Sequence, residues 1–220
     1  MAVRVVCISR SLGALGEQVG GLVAQRLSFQ YVDEGVIERA ARLARVDPKL
    51  VEQAEHRQPL LRRLKQKLAA ARDLVEPATL ALALGPLLVG ATERAALRAT
   101  PEDLRLLIQE AIQELAEDGQ VVILAHASSM TLATRTDIVR VLVTASAETR
   151  SQRLVAAQGI TAGEAAIAIA NSDRDRGDYF RRFHSVTEEQ PTHYDLVVNP
   201  DVLRPEQAAE LIVCAARLRD

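Results

Sequence analysis

The segment from residue 9 to residue 17 carries the residue types that bind a phosphate group. Gly13 and Gly16 would let its backbone curl around an anion, and further donors come from the side chains of Ser9, Arg10 and Ser11. The full phosphate-loop pattern requires glycine, four residues, glycine, lysine and then serine or threonine. The first lysine of the chain is Lys49, so that pattern is incomplete. We predict a phosphate-binding loop that lacks the usual lysine; a structural turn without a ligand is the alternative.

Short apolar strands alternate with amphipathic helices along the chain. Apolar, mostly β-branched runs predict strands at residues 3–8, 29–32, 121–124, 139–143 and 196–198. Helical spacing follows Gly16 and recurs over residues 102–118, 147–157, 161–183 and 205–218. This alternation predicts an α/β fold, with one parallel five-stranded sheet and helices on both faces. The loop then lies at the carboxyl edge of the sheet, where such folds bind ligands.

The composition predicts a soluble globular protein and excludes several classes of function. The chain has 220 residues, and its net charge of −2 gives no global attraction to nucleic acid or to an anionic membrane. Aromatic residues make up 3%, too few for a base-stacking platform. Cys7 and Cys214 lack metal-ligand spacing, as do His56, His184 and His193, so no metal site is predicted. No signal peptide is visible, and a cytoplasmic location is expected.

The stretch of about residues 45–100 is helical in composition and is predicted to be an insertion within a single domain of residues 1–220. Its most apolar part, residues 77–91, is too short to span a bilayer. An exposed apolar surface of this kind is typical of a protein interface. We therefore predict a homodimer formed through the insertion; the alternative is that it folds back on its own domain. The apolar side chains concerned are Leu80, Leu82, Leu84, Leu87, Leu88 and Val89.

Several segments, in the same order and spacing, resemble the cytidylate kinase-like family, a branch of the P-loop nucleoside-monophosphate kinases. The similarity covers about residues 3–44 and 102–215. The segments are ISRSLGALGEQVG (8–20), YVDEGVI (31–37), residues 121–130, TDIVRVLVTAS (136–146), DRDRGDYF (173–180) and YDLVVN (194–199). The resemblance implies a three-layer P-loop kinase-like fold and transfer of a phosphoryl group from ATP, with Mg²⁺, to a nucleoside monophosphate such as CMP. It also implies a lid-like region at about residues 160–190.

Within this resemblance, Arg10, Arg174 and Arg176 are the predicted catalytic residues, since arginines of the lid close on the phosphates in the family. A solvated charged helix face is the alternative for Arg174 and Arg176. Asp33 and His126 are the predicted substrate-binding residues. Asp33 could instead cap a helix, and His126 could bond to backbone at a strand end.

Three departures from the family pattern remove positive charge or add bulk at the predicted site. Glu17 stands where the family has the arginine of its loop, and Leu15 replaces a glycine. The pair Ala125-His126 stands where the family has Gly-Arg, and histidine cannot offer the two-pronged donor of arginine. Phosphoryl transfer depends on neutralising charge, so the expected activity is weak or lost. The alternative is a non-catalytic nucleotide-binding or protein-interaction module, in which case no cofactor can be named.

Overall fold

A computed structural model describes residues 2–33, 36, 101–124 and 127–218. Residue contacts divide the chain into one unit of Met1–Val36 with Ile112–Asp220 and a second unit of Ile37–Ala111. The predicted insertion at 45–100, its proposed dimer surface and His126 lie outside the described residues. The predictions of a single domain and of a homodimer therefore stay predictions.

The first unit is built on a five-stranded parallel sheet with the strand order β2-β3-β1-β4-β5. Every pairing in it is parallel, and β1 lies in the centre between β3 and β4. This confirms the predicted α/β fold. The strands are β1 Val5–Arg10, β2 Gln30–Val32, β3 Val121–Leu124, β4 Ile138–Val143 and β5 Leu196–Val198.

Three of the described helices begin with a capping residue or a proline suited to a helix start. Ser146 caps one helix by accepting the N–H of Thr149, and Thr161 forms a capping box with Glu164 in the next. The last helix begins at Pro205, which needs no donor at that position. The helices are α1 Gly16–Leu27, α2 Pro101–Asp118, α3 Ser128–Thr131, α4 Ala147–Gln158, α5 Ala162–His184 and α6 Pro205–Arg217, with a short 3₁₀ turn at Pro191–His193.

Among the described residues, no single helix has both the length and the apolar character needed to cross a membrane. The pair α4 and α5 reaches those limits only when the two are taken together, and a bend of 118° separates them.

The core forms where β1 is covered on both faces. Val6 and Ile8 point toward α1 and α6, where they pack in one buried cluster with Val19, Val23 and Ile212. Alternate residues of a strand face opposite sides, so Cys7 points the other way, where it is fully buried. Burying each of these Val or Ile side chains contributes about 1.5–3 kcal/mol. The central strand is therefore a rigid support for the loop that follows it.

Candidate functional site

The six residues predicted to form the phosphate loop lie together where β1 leads into α1. Ser9 and Arg10 are the last two residues of β1, so the strand extends two residues past its predicted end. The reason is pairing with β4, since Ser9 lies opposite Leu142 and Arg10 opposite Val143. Gly16 and Glu17 are the first two residues of α1, and residues 11–15 make the turn between the elements.

The turn is held by backbone geometry. Gly13 has φ of 79° and Leu15 has φ of 63°, so both adopt the left-handed conformation. Ser11 is fixed to β4, because its N–H donates to the Val143 carbonyl at 3.1 Å and its hydroxyl lies 3.1 Å from that of Thr144. No side chain of the described residues caps the start of α1. The N–H groups at this helix start are therefore suited to an anion.

A carboxylate of the same helix already neutralises the loop arginine. Nε of Arg10 lies 2.6 Å from Oε1 of Glu17, and the two side chains are 27% and 54% exposed. Gly16 makes this contact possible, since a Cβ there would lie 2.5 Å from the Cβ of Arg10. The Arg10 side chain therefore lies across Gly16 and reaches Glu17 in the first turn of α1.

Arg176 of α5 is bonded to protein atoms at the end of β1. Its Nη1 donates to the Arg10 carbonyl at 2.7 Å, and its Nε and Nη2 donate to the Glu189 carboxylate at 2.7 and 2.5 Å. The hydroxyl of Tyr194 donates to the same carboxylate. Burial lowers the pKa of Arg176, but the bonds and charge of Glu189 more than offset this, so its pKa is raised and it stays charged. Its role as a phosphate clamp stays a prediction.

Two further arginines, both on α4, contact the same region. Arg150 is buried and forms a two-pronged pair with Asp173 of α5 at 2.8 and 2.6 Å. Arg153 donates to the carbonyl of Gly13 at 3.4 Å and to that of Pro200 at 2.6 Å. The sequence reasoning missed both. Their spacing of three residues on the helix after the Thr-Ala-Ser turn was the available signal, because it places them on one helix face.

Two other predicted site residues, Arg174 and Asp33, take no part in the bonds described above. Arg174 is exposed, and its Nη1 lies 3.5 Å from Asn171 in the same helix. Asp33 follows β2 at the carboxyl edge of the sheet, and its carbonyl accepts the N–H of Val36 at 3.2 Å. Its part in substrate binding stays a prediction.

Tyr31, which the sequence reasoning also missed, lies beside the loop with its ring against Gly20 of α1. Burial, followed by the charges of Asp33 and Glu17, raises the pKa of Tyr31 to about 12. Tyr31 is 37% exposed, so part of an aromatic residue remains open to solvent beside the loop. The sequence could not predict that Tyr31 lies beside the loop, because only the pairing of β2 with β3 brings it there.

The described residues contain no group of three or more His, Cys, Asp or Glu side chains placed to hold a metal ion. In the loop region, the hydroxyls of Ser11 and Thr144 lie 3.1 Å apart, and the carboxylate of Glu17 is paired with Arg10.

The fold recurs in solved structures of low sequence identity. An uncharacterized protein from Eubacterium ventriosum is similar with a TM-score of 0.62 at 11% identity, over 97% of this chain and 98% of that chain. Shikimate kinase from Bacteroides thetaiotaomicron has a TM-score of 0.52 at 13% identity, over 99% of each chain. Shikimate kinase from Acinetobacter baumannii, solved with shikimate, has a TM-score of 0.50 at 10% identity, over 99% of this chain and 95% of that one. These similarities establish the P-loop kinase-like fold.

Comparison of the sequence with protein families gives a more specific result. No curated protein matches the chain at a significant level. The cytidylate kinase-like family matches residues 5–202, which include every described strand and the whole loop. The match confirms the resemblance inferred from the sequence segments. On this match, and with the sheet order and loop placement described above, the chain belongs to the cytidylate kinase-like family.

Proposed function

We propose that the protein is a cytidylate kinase-like nucleotide-binding protein whose phosphoryl transfer to a monophosphate is weak or lost. The observation that carries this proposal is the ion pair between Arg10 and Glu17 at the start of α1. A kinase loop must present positive charge to the phosphates it transfers. Here the loop arginine has a carboxylate at 2.6 Å, and the family's second cation is replaced by His126.

The size of the expected loss follows from the number of missing donors. Removing one preorganised donor typically costs about 3 kcal/mol, or a factor of 10²–10³ in rate. The loop has no lysine, Glu17 opposes its remaining arginine, and His126 replaces an arginine. Two such losses together leave little of an ordinary kinase rate. Nucleotide affinity depends on fewer of these groups, since the N–H groups at the start of α1 still attract phosphate.

The proposed ligand is ATP with Mg²⁺, and the proposed acceptor of the residual reaction is CMP. Mg²⁺ commonly reaches kinase sites with the phosphates and takes only one or two protein ligands. That mode fits a loop region without a group of three ligating side chains among the described residues. The hydroxyl of Ser11 is the loop oxygen that would contact the ion. Asp33, at the same edge of the sheet, would help to shape the acceptor side.

The second candidate is a non-catalytic interaction module in the cytoplasm. It is favoured by the bonds of Arg176, the predicted lid arginine. All three of its donor nitrogens are bonded to Arg10 and Glu189, so they are already engaged with protein atoms instead of a phosphate. We extend it with a homodimer formed through residues 45–100. Light scattering tests that extension, since a mass near the 24.0 kDa of one chain would contradict it.

Calorimetric titration separates the two candidates. The protein is titrated with MgATP, with CMP, and with CMP in the presence of a non-hydrolysable ATP analogue and Mg²⁺. Nucleotide binding by a weak kinase-like site predicts heat with MgATP and tighter CMP binding when the analogue is present. An absence of heat in all three titrations at millimolar ligand would contradict nucleotide binding and leave the interaction module.

A further inference from the structure

A circuit of hydrogen bonds reaches the end of β1. The hydroxyl of Tyr194 donates to the Glu189 carboxylate. Glu189 accepts two bonds from Arg176, and Arg176 donates to the carbonyl of Arg10. Arg10 is the last residue of β1, so the circuit ends where the strand leads into the phosphate loop.

The circuit is buried and its geometry is restrictive. Tyr194 is 7% exposed. The side chains of Arg176 and Glu189 are 20% and 19% exposed. A guanidinium is a planar group with donors in fixed directions, so bonding Glu189 with two nitrogens fixes the direction of the third. That third donor points at the Arg10 carbonyl.

The ring of Phe180 adds a further restraint on Arg176. The guanidinium carbon lies 4.9 Å from the centre of this ring, within the range of a cation–π contact. Phe180 itself is 3% exposed and lies one helical turn after Arg176 on α5. The cation is therefore held from two sides, by a carboxylate and by an aromatic face, while it donates to the strand end.

We propose that Arg176 is a positioning residue: it fixes the Arg10 carbonyl and so the turn into the phosphate loop, and Glu189 and Tyr194 hold it in place. This inference rests on the proposed function, in which that loop binds the phosphates of a nucleotide. It assigns Arg176 a different role from a lid arginine that clamps the phosphates. The two roles predict opposite effects when Glu189 loses its charge.

The sign of the effect of Glu189→Gln on MgATP affinity separates the roles. If Arg176 clamps phosphate, removing its carboxylate partner frees a cation, and affinity rises. If Arg176 positions the loop, the same change loosens the circuit, and affinity falls by about 3- to 10-fold, in the same direction as in Arg176→Gln. Tyr194→Phe removes one bond of the circuit and should give a smaller fall of the same sign. Tighter MgATP binding by Glu189→Gln would overturn the proposal.

Hydrogen exchange tests the positioning role without any ligand. The reporters are the amides of Ser11, which bonds the Val143 carbonyl, and Ala14, which bonds the Ser11 carbonyl. Arg176→Gln and Glu189→Gln should raise exchange in residues 11–15 about tenfold. The amides of β4 should remain protected, which distinguishes loss of loop order from global destabilisation. The milder Arg176→Lys serves if the glutamine variant fails to fold.

The matched control is Arg181→Gln, which removes an arginine of the same helix from an exposed pair with Asp178 at 2.8 Å. It should leave exchange in the loop unchanged. Unchanged loop exchange in a folded Arg176 variant would overturn the proposal, whatever the nucleotide affinity. Raised loop exchange in a protein that binds no MgATP would support the positioning role and contradict the proposed function, so the two failures are distinct.

Discussion

Replacing Glu17 should tighten nucleotide binding, because the Glu17 carboxylate forms an ion pair with Arg10 and so neutralises its charge. Glu17→Gln removes the negative charge 2.6 Å from Nε of Arg10 and keeps the side-chain length. With 27% and 54% of the two side chains exposed, water screens the pair, and such pairs are worth up to about 1 kcal/mol. Freeing Arg10 should therefore improve MgATP affinity by up to about 5-fold.

The charge-reversed variant should show a larger effect in the same direction. Glu17→Arg adds a donor of the kind that contributes about 1.5–3 kcal/mol when it bonds a charged group. A cation in the first turn opposes the helix dipole, and this lowers the stability of the free and the bound protein alike, by about 0.3–1 kcal/mol, without reducing the gain in affinity. A gain of about 2 kcal/mol corresponds to affinity about 30-fold tighter than in the unaltered protein, and the gain should shrink at high salt.

The assay is calorimetric titration with MgATP at low and high salt, and α1 supplies the matched control. Arg26 and Glu210 form an exposed pair at 3.1 Å, with 32% and 65% of the side chains exposed, at the other end of that helix. Glu210→Gln removes the same charge without touching the loop and should not change the affinity. Unchanged MgATP affinity in both Glu17 variants would show that the loop is not a phosphate site.

Three further predictions concern stability and reactivity. Leu15→Gly should stabilise the fold by about 0.5–1 kcal/mol in urea denaturation, because Leu15 holds a left-handed φ; a loss of stability would contradict this. Burial raises the pKa of Cys7 to about 12, so only the exposed Cys214 should react with a thiol reagent in the native protein at pH 8. Both thiols should react in the unfolded protein, and reaction of both in the native protein would contradict this prediction. Hydrogen bonds from Arg135 lower the pKa of Asp137, so the stability that ionised Asp137 contributes to the folded state is lost as the pH falls through the acid range. Asp137→Asn should therefore reduce the free energy of unfolding more at pH 7 than at pH 3.5. Equal reductions at the two pH values would contradict this.

The sheet could be predicted from sequence because its three central strands are buried on both faces. Runs such as Val121–Leu124 are apolar throughout, and helical segments of a different period separate them. The end of β1 was placed two residues too early because Ser9 and Arg10 are polar. Their strand conformation comes from pairing with Leu142 and Val143, more than 130 positions away in sequence.

Contacts between residues near one another in sequence could be expected at the candidate site, whereas contacts between distant residues could not. Arg10 and Glu17 lie within one strand–turn–helix unit, so their closeness follows from the chain itself. The bonds from Arg176 to the Arg10 carbonyl and from Arg150 to Asp173 depend on how α5 packs, which no local pattern encodes. The structure therefore adds Asp173 and Glu189, the acids that pair with these two arginines.

A coupled assay that measures ADP release with MgATP and each common nucleoside monophosphate shows whether phosphoryl transfer is weak or lost. We expect little or no release above background with CMP or any other acceptor. We also expect a measurable increase when Glu17→Arg and His126→Arg restore the two missing cations together. Turnover of CMP by the unaltered protein at several per second or faster, within the ordinary kinase range of about 1–100 per second, would show that the site is an active kinase.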